Sequence, residues 1–111
     1  NIGSINGITT PDPSMRNYSY SASKAAVHHL TRHLGGELAR EHVNVNAIAP
    51  GFFPSKMTAH FTEEEQTGGI PRGRMGSPED AAGTAIYLSS RASAYVTGHT
   101  LVLDGGLVAG S

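Results

Sequence analysis

Residues 27–51 read "VHHLTRHLGGELAREHVNVNAIAPG", and the hydrophobic period changes within that stretch. Val27, Leu30, Leu34 and Leu38 recur at three- and four-residue intervals, with His28, Arg32, Glu37 and Arg40 between them, which is the pattern of an amphipathic helix. From Val43 the pattern alternates, turns apolar with β-branched residues, and is stopped by Pro50-Gly51, as a short strand ending in a turn would be. Traced back, the helical pattern starts near Tyr20 and fades near Glu41. Gly35 and Gly36 weaken it by about 1 kcal/mol each relative to Ala, which packing of the leucine stripe can offset.

Toward the N-terminus, "NIGSINGI" is an apolar stub, and "TTPDPSMRN" holds two prolines and several turn-forming polar residues, so it is expected as a surface loop. Toward the C-terminus, residues 52–75 show no period and contain "TEEEQ", two prolines and three glycines. That segment is expected as a mobile excursion with a short helix, its Glu63–Glu65 run a solvated face. "SPEDAAGTAIYLSS" opens with a helix-start signature, Ser77 as N-cap, Pro78 at the first helical position and Asp80 reaching back, and predicts helix to about Ser89. "HTLVLDGG" predicts a closing strand. The order is strand stub, helix, strand, helix, strand, the alternation of a parallel α/β sheet with right-handed crossovers. A parallel sheet wants its central strands flanked and both faces covered, so the expected fold class is the C-terminal part of a Rossmann-like doubly wound sheet. On this reading residues 1–111 are one portion of a single domain, incomplete without an N-terminal cofactor-binding half.

The chain has 111 residues and a formal net charge of −1, with both signs spread along it. No basic stripe offers itself to nucleic acid, and no polybasic tail to an anionic membrane. The absence of cysteine excludes disulfides, thiolate metal sites and cysteine nucleophiles, and fits a reducing, cytoplasmic setting. No apolar run approaches the length of a membrane span.

In "YSYSASKAAV", positions four apart share a helix face, so Tyr20 stands over Lys24 while Tyr18 pairs with Ala22. A phenol is a poor acid–base catalyst near neutrality, and a fixed ammonium beside it stabilises the phenolate. Taken alone, the same spacing is an ordinary amphipathic side-chain pair. It does not stand alone: "NIGS", "YSASKAAV", "VNVNAIAPG", "IPRGRMGSPEDAAGTAIYLSS" and "YVTGHTLVLDGG" follow in order and span nearly the whole chain. Together they resemble the C-terminal half of a short-chain dehydrogenase/reductase. The likeness is closest to the 3-oxoacyl reductase-like members, including the kind linked to rhamnolipid synthesis, through "APGFFPSKM".

The resemblance implies a catalytic Ser4, Tyr20 and Lys24. Ser4 would hold the substrate carbonyl, Tyr20 would pass the proton, and Lys24 would lower the Tyr20 pKa and hold the ribose of NADP or NAD, with NADP favoured. It implies that Pro50, Gly51, Phe53 and Ser55, beside Tyr20 and Lys24, meet the cofactor, and that Asn6, Phe52, Met57 and Phe61, beside Ser4, meet the substrate. The activity implied is reduction of a carbonyl, such as a 3-oxoacyl thioester, or oxidation of a secondary alcohol by a homo-oligomer, dimer or tetramer. The interval from Ser4 to Tyr20 is a few residues longer than in most relatives, and the glycine-rich pyrophosphate turn is absent from the sequence. The competing reading is a non-catalytic remnant or oligomerisation module without the cofactor half. His28, His29 and His33 lie within two helical turns, and His29 with His33 has the i, i+4 spacing of a zinc pair, but no third ligand accompanies them. No metal is expected, and the three histidines are expected on a solvated or interface-facing side of the helix.

Overall fold

The computed structural model describes residues 1–56 and 68–110. Strand β1, Ala47–Pro50, pairs in parallel with β2, Thr100–Leu103, in a register that sets Ala47 against Thr100 and Pro50 against Leu103. On its other side Ile2 bridges Ile48, also in parallel. The Gly3 N–H donates to the Ile48 carbonyl at 2.8 Å, and Ile48 N–H to the Asn1 carbonyl at 3.0 Å. β1 is therefore the middle of three parallel segments, and Ala47, Ile48 and Ala49 are all buried, as an unbroken apolar run in a parallel sheet requires.

Helix α1, Tyr18–Leu38, begins one half-turn before the expected start, because the Asn17 carbonyl accepts from Ser21 N–H at 3.0 Å. It tightens into a 3-10 turn at Ala39–Glu41. Its inward face differs from the leucine stripe. His28, Thr31 and Gly35 are the buried residues, Val27, Leu34 and Leu38 are half-buried, and Leu30 is 50% exposed. The cause is close approach. A Cβ on Gly35 would collide with the backbone N and Cα of Gly98, which enters β2 at φ +72°, so only a helix face of small side chains fits there. Gly35 is thus a contact surface, while Gly36, with open space around it, matches the expected local weakness. His28 corrects the solvated reading of the histidines. His29 and His33 do face outward, His29 Nδ1 against Arg32 Nη2 at 3.1 Å and His33 against Glu37 at 3.9 Å.

Helix α2, Pro78–Ser89, has the expected start in full: Ser77 Oγ accepts from Asp80 N–H at 3.2 Å, and Asp80 Oδ2 accepts from Ser77 N–H at 2.8 Å. A 3-10 turn, Arg91–Ser93, follows it. Residues 57–67 lie outside the described residues, and with them the short helix and the Glu63–Glu65 run. Their described flanks are tied to the sheet end: Gly76 N–H donates to Phe52 at 3.0 Å, Arg72 N–H to Gly105 at 3.0 Å, and Ile70 is buried. Among the described residues no helix is long and apolar enough to cross a membrane.

Candidate functional site

The segments running past the carboxyl ends of β1 and β2 open a groove of about 780 Å³ between the first turns of α1 and of α2. In parallel α/β sheets that end of the strands is where ligands bind, since chain ends and helix starts meet there.

Ser4 ends the N-terminal strand stub in extended backbone, φ −166° and ψ 152°, and starts the 3-10 turn Ile5–Gly7. It is 6% exposed yet lines the groove. Its Oγ accepts from Asn6 N–H at 3.1 Å, which engages an oxygen lone pair and leaves the hydroxyl hydrogen to donate. Its own N–H donates to His28 Nε2 at 3.2 Å. Tyr20 stands in the first turn of α1, 42% exposed and lining the groove. One turn on, Lys24 lines it too: its Nζ lies 5.5 Å from the centroid of the Tyr20 ring and donates to the Ile2 carbonyl at 3.2 Å. The ammonium is therefore anchored at the sheet end and lies over the face of the Tyr20 ring. Tyr18 is 75% exposed and does not border the groove.

Pro50 and Gly51 end β1 on the opposite wall, with Gly51 N–H donating to Leu103 at 3.0 Å. A Cβ on Gly51 would stand 2.8 Å from Asp104 Cβ, so the turn requires glycine at that approach. Asn6, Phe52, Phe53 and Ser55 complete the described residues that the sequence pointed to, and all of them line the same groove. Met57 and Phe61 lie outside the described residues.

Sequence reasoning missed the wall from α2, formed by Ala81, Ala82 and Ala85, and the residues Met15 and Asn17 at the loop mouth. The signal for the alanines was available, because small residues at i, i+1 and i+4 mark a helix face that admits something close. A smaller cavity of about 200 Å³ adjoins the groove through Phe52 and Phe53, and its lining includes the ion pair of Arg74 Nη1 with Asp80 Oδ2 at 2.8 Å. The Arg74 bond, then the Ser77 N–H and hydroxyl, hold the Asp80 carboxyl well below the usual carboxylate range. Among the described residues no group of three or more His, Cys, Asp or Glu side chains could hold a metal ion.

The family described as enoyl-(acyl carrier protein) reductase matches residues 3–108. Over 111 residues the chain is 48% identical to the rhamnolipids biosynthesis 3-oxoacyl-[acyl-carrier-protein] reductase of Pseudomonas aeruginosa, covering 96% of this chain and 43% of that protein. It is 43% identical to galactitol 2-dehydrogenase (L-tagatose-forming) of Cereibacter sphaeroides, with 96% and 43% covered. Among solved structures, the Pseudomonas aeruginosa RhlG/NADP active-site complex superposes with a TM-score of 0.86 at 46% identity, covering 96% of this chain and 44% of that one. A short-chain dehydrogenase from Leptospira borgpetersenii with bound NAD+ gives 0.83 at 35% identity, covering 96% and 42%. The chain thus spans less than half the length of these relatives.

Proposed function

Since the chain belongs to the short-chain dehydrogenase/reductase family, we propose that it supplies the proton relay of a nicotinamide-dependent enzyme that reduces a carbonyl or oxidises a secondary alcohol. The observation that carries this reading is the convergence of Ser4, Tyr20 and Lys24 on one groove at the carboxyl ends of parallel strands, with the Lys24 ammonium 5.5 Å from the Tyr20 ring centroid.

The donor set suits a nicotinamide cofactor. Lys24 offers an ammonium for ribose hydroxyls, and the Gly51 turn keeps the β1 end free of a side chain where it approaches Asp104. Tyr20, Lys24, Pro50, Gly51, Phe53 and Ser55 would hold the group, which when bound supplies or accepts the hydride. NADP is the preferred form, supported by the higher identity to the RhlG/NADP complex than to the NAD+ structure.

In the direction of reduction, the Ser4 hydroxyl donates a hydrogen bond to the carbonyl oxygen and stabilises the negative charge that grows there. Tyr20 gives its phenolic proton to the same oxygen, and the nearby Lys24 charge favours the negative charge left on the phenol oxygen. In oxidation the proton runs back from the alcohol to Tyr20. Phe52, Phe53, Met15 and the alanines of α2 give the groove an apolar lining, which favours an acyl ketone such as a 3-oxoacyl thioester over a polyol.

The test is a pair of substitutions that each remove one hydroxyl from α1. In turnover of the whole enzyme with NADPH and a 3-oxoacyl thioester, Tyr20→Phe should lower kcat by on the order of 10²–10⁴, the usual worth of a positioned acid–base group. Tyr18→Phe, exposed and away from the groove, should leave kcat within about twofold. Turnover that survives Tyr20→Phe, or that falls equally in Tyr18→Phe, overturns the reading.

A further inference from the structure

His28 is a titratable side chain that the relay leaves unused, and it is 3% exposed directly beneath the Ser4 turn. Its Nε2 accepts the Ser4 N–H at 3.2 Å. An amide can donate only to an unprotonated ring nitrogen, so the imidazole is neutral and carries its proton on Nδ1. The ring fills space left by two glycines. A Cβ on Gly3 would collide with Nε2 and Cδ2, and one on Gly7 would stand 2.9 Å from Cε1. The charged groups that act on it, Arg32 and Lys24 on α1, are both cationic. The stub 1–4, the turn Ile5–Gly7 and β1 contribute no carboxylate.

We propose that His28 is the positioning residue for Ser4: its neutral imidazole holds the Ser4 amide and so fixes the turn that presents the Ser4 hydroxyl to the groove, and it releases that turn on taking up a proton. The inference rests on the relay reading of Ser4. Protonation would set an N–H against an N–H and bury a positive charge among cations with no counter-ion. Burial first, then Arg32, push the His28 pKa below the usual histidine value, and a backbone hydrogen bond to Gly7 only partly opposes them. The sign follows from a histidine whose folded value is depressed. The contact is complete above the unfolded value of about 6.5 and is lost as pH falls below it.

The test needs no variant to begin with. In the 15N-labelled chain, imidazole nitrogens and backbone amides are followed from about pH 8 down to about pH 4, the range in which histidine changes charge. The expected result is the Nδ1–H form of His28, a midpoint below about 6.5, and a Ser4 amide shift that moves with the same midpoint while the Ser93 amide, buried elsewhere, does not follow it. An Nε2–H form, a midpoint at or above that value, or a Ser4 amide that ignores the His28 titration overturns the proposal.

Turnover gives a second readout that a merely structural histidine would not produce. His28→Phe, which removes the acceptor, should lower kcat with KM little changed, by the factor seen for Ser4→Ala, on the order of 10². His28→Gln, which restores a neutral acceptor that does not titrate, should recover most of it. The Ser4→Ala/His28→Phe double variant should be no worse than either single one. A kcat indifferent to Ser4→Ala overturns the relay reading and the catalytic role of His28 with it, whereas absence of co-titration overturns the His28–Ser4 coupling alone.

Discussion

Helix α1 has no side-chain cap at Asn17 yet buries His28, Thr31 and Gly35, whereas α2 closes its N-terminus with the full Ser77–Asp80 box and buries nothing. Both border the groove, but they are held there by different means. α1 is fixed from outside by the strand stub, the Ile5–Gly7 turn and the backbone at Gly98, so its stability is tied to that of the sheet. α2 is fixed from within, and its fullest contacts among the described residues are with the turn Arg91–Ser93 directly after it. The catalytic Tyr20 and Lys24 of the proposed relay stand on the helix tied to the core. The helix that supplies only the alanine wall is free to open locally.

Removing the core that α1 leans on should have the largest effect on stability. Ile48 is the large side chain of the middle strand, between Ile2 and Leu101. Ile48→Ala should destabilise by about 2–5 kcal/mol, the range for deleting a buried aliphatic side chain with partial collapse. Chemical denaturation should show α1 and the sheet lost together. If helical signal from α1 survives after the sheet has gone, the coupling assigned to α1 is wrong.

Gly35→Ala should come next. The added methyl meets Gly98 backbone rather than a movable side chain, so α1 must shift from the lead-in to β2, a change expected to cost about 1–3 kcal/mol. Gly36→Ala, one residue on with open space, should instead stabilise by about 0.5–1 kcal/mol. Opposite signs at adjacent glycines, read as opposite shifts in denaturation midpoint, are the signature of a helix held by close approach. Equal signs would mean that intrinsic propensity sets both.

The same contrast explains which parts of the molecule were legible in the sequence. The start of α2 could be read residue by residue, because a capping box is a local device whose partners lie three positions apart. The groove residues Ser4, Tyr20, Lys24, Pro50, Gly51 and Phe53 were named from ordered motifs, and the structure brings them to one cavity. The inward face of α1 was not legible. Leu30 looked like core and is exposed, and His28 looked solvated and is buried, because what α1 packs against is backbone and glycine from distant segments. No hydrophobic period encodes a surface that accepts only small or hydrogen-bonded side chains. The wall from Ala81, Ala82 and Ala85 escaped for the same reason.

On α2 the expected effects are smaller and of another kind. Ser77→Ala removes an N-cap and should cost about 1 kcal/mol of helix stability. It should appear as faster hydrogen exchange of α2 amides, with little change in the midpoint for the sheet. Acid should act in the same place. Asp80 is held below the usual carboxylate range first by Arg74 and then by Ser77, so its contribution is present above the unfolded value of about 3.9 and is lost as pH falls below it. Exchange at α2 should therefore quicken from about pH 4 downward relative to α1, and Arg74→Ala, which lets the folded value rise toward the unfolded one, should make that quickening smaller. A Ser77→Ala variant that lowers the midpoint of the sheet as far as Ile48→Ala does would abolish the distinction between the helices.

The smallest effect isolates α2 most sharply. Gly83 lies in the middle of that helix, and a Cβ there would meet nothing within 4 Å. Gly83→Ala therefore changes neither packing nor any hydrogen bond and acts only through the backbone freedom that glycine loses on entering a helix, about 0.5–1 kcal/mol. In a helix coupled to the core, that gain would raise the global denaturation midpoint. In α2 it should slow exchange of the α2 amides, about two- to fivefold by the conversion of free energy to population, and leave the midpoint of β1 and α1 unmoved. The paired variant Gly36→Ala, with the same chemistry and equal open space but on α1, should raise the global midpoint. If both glycines shift the same global transition, α2 belongs to the cooperative unit of the sheet, and its alanine wall is as fixed a part of the groove as Tyr20 and Lys24.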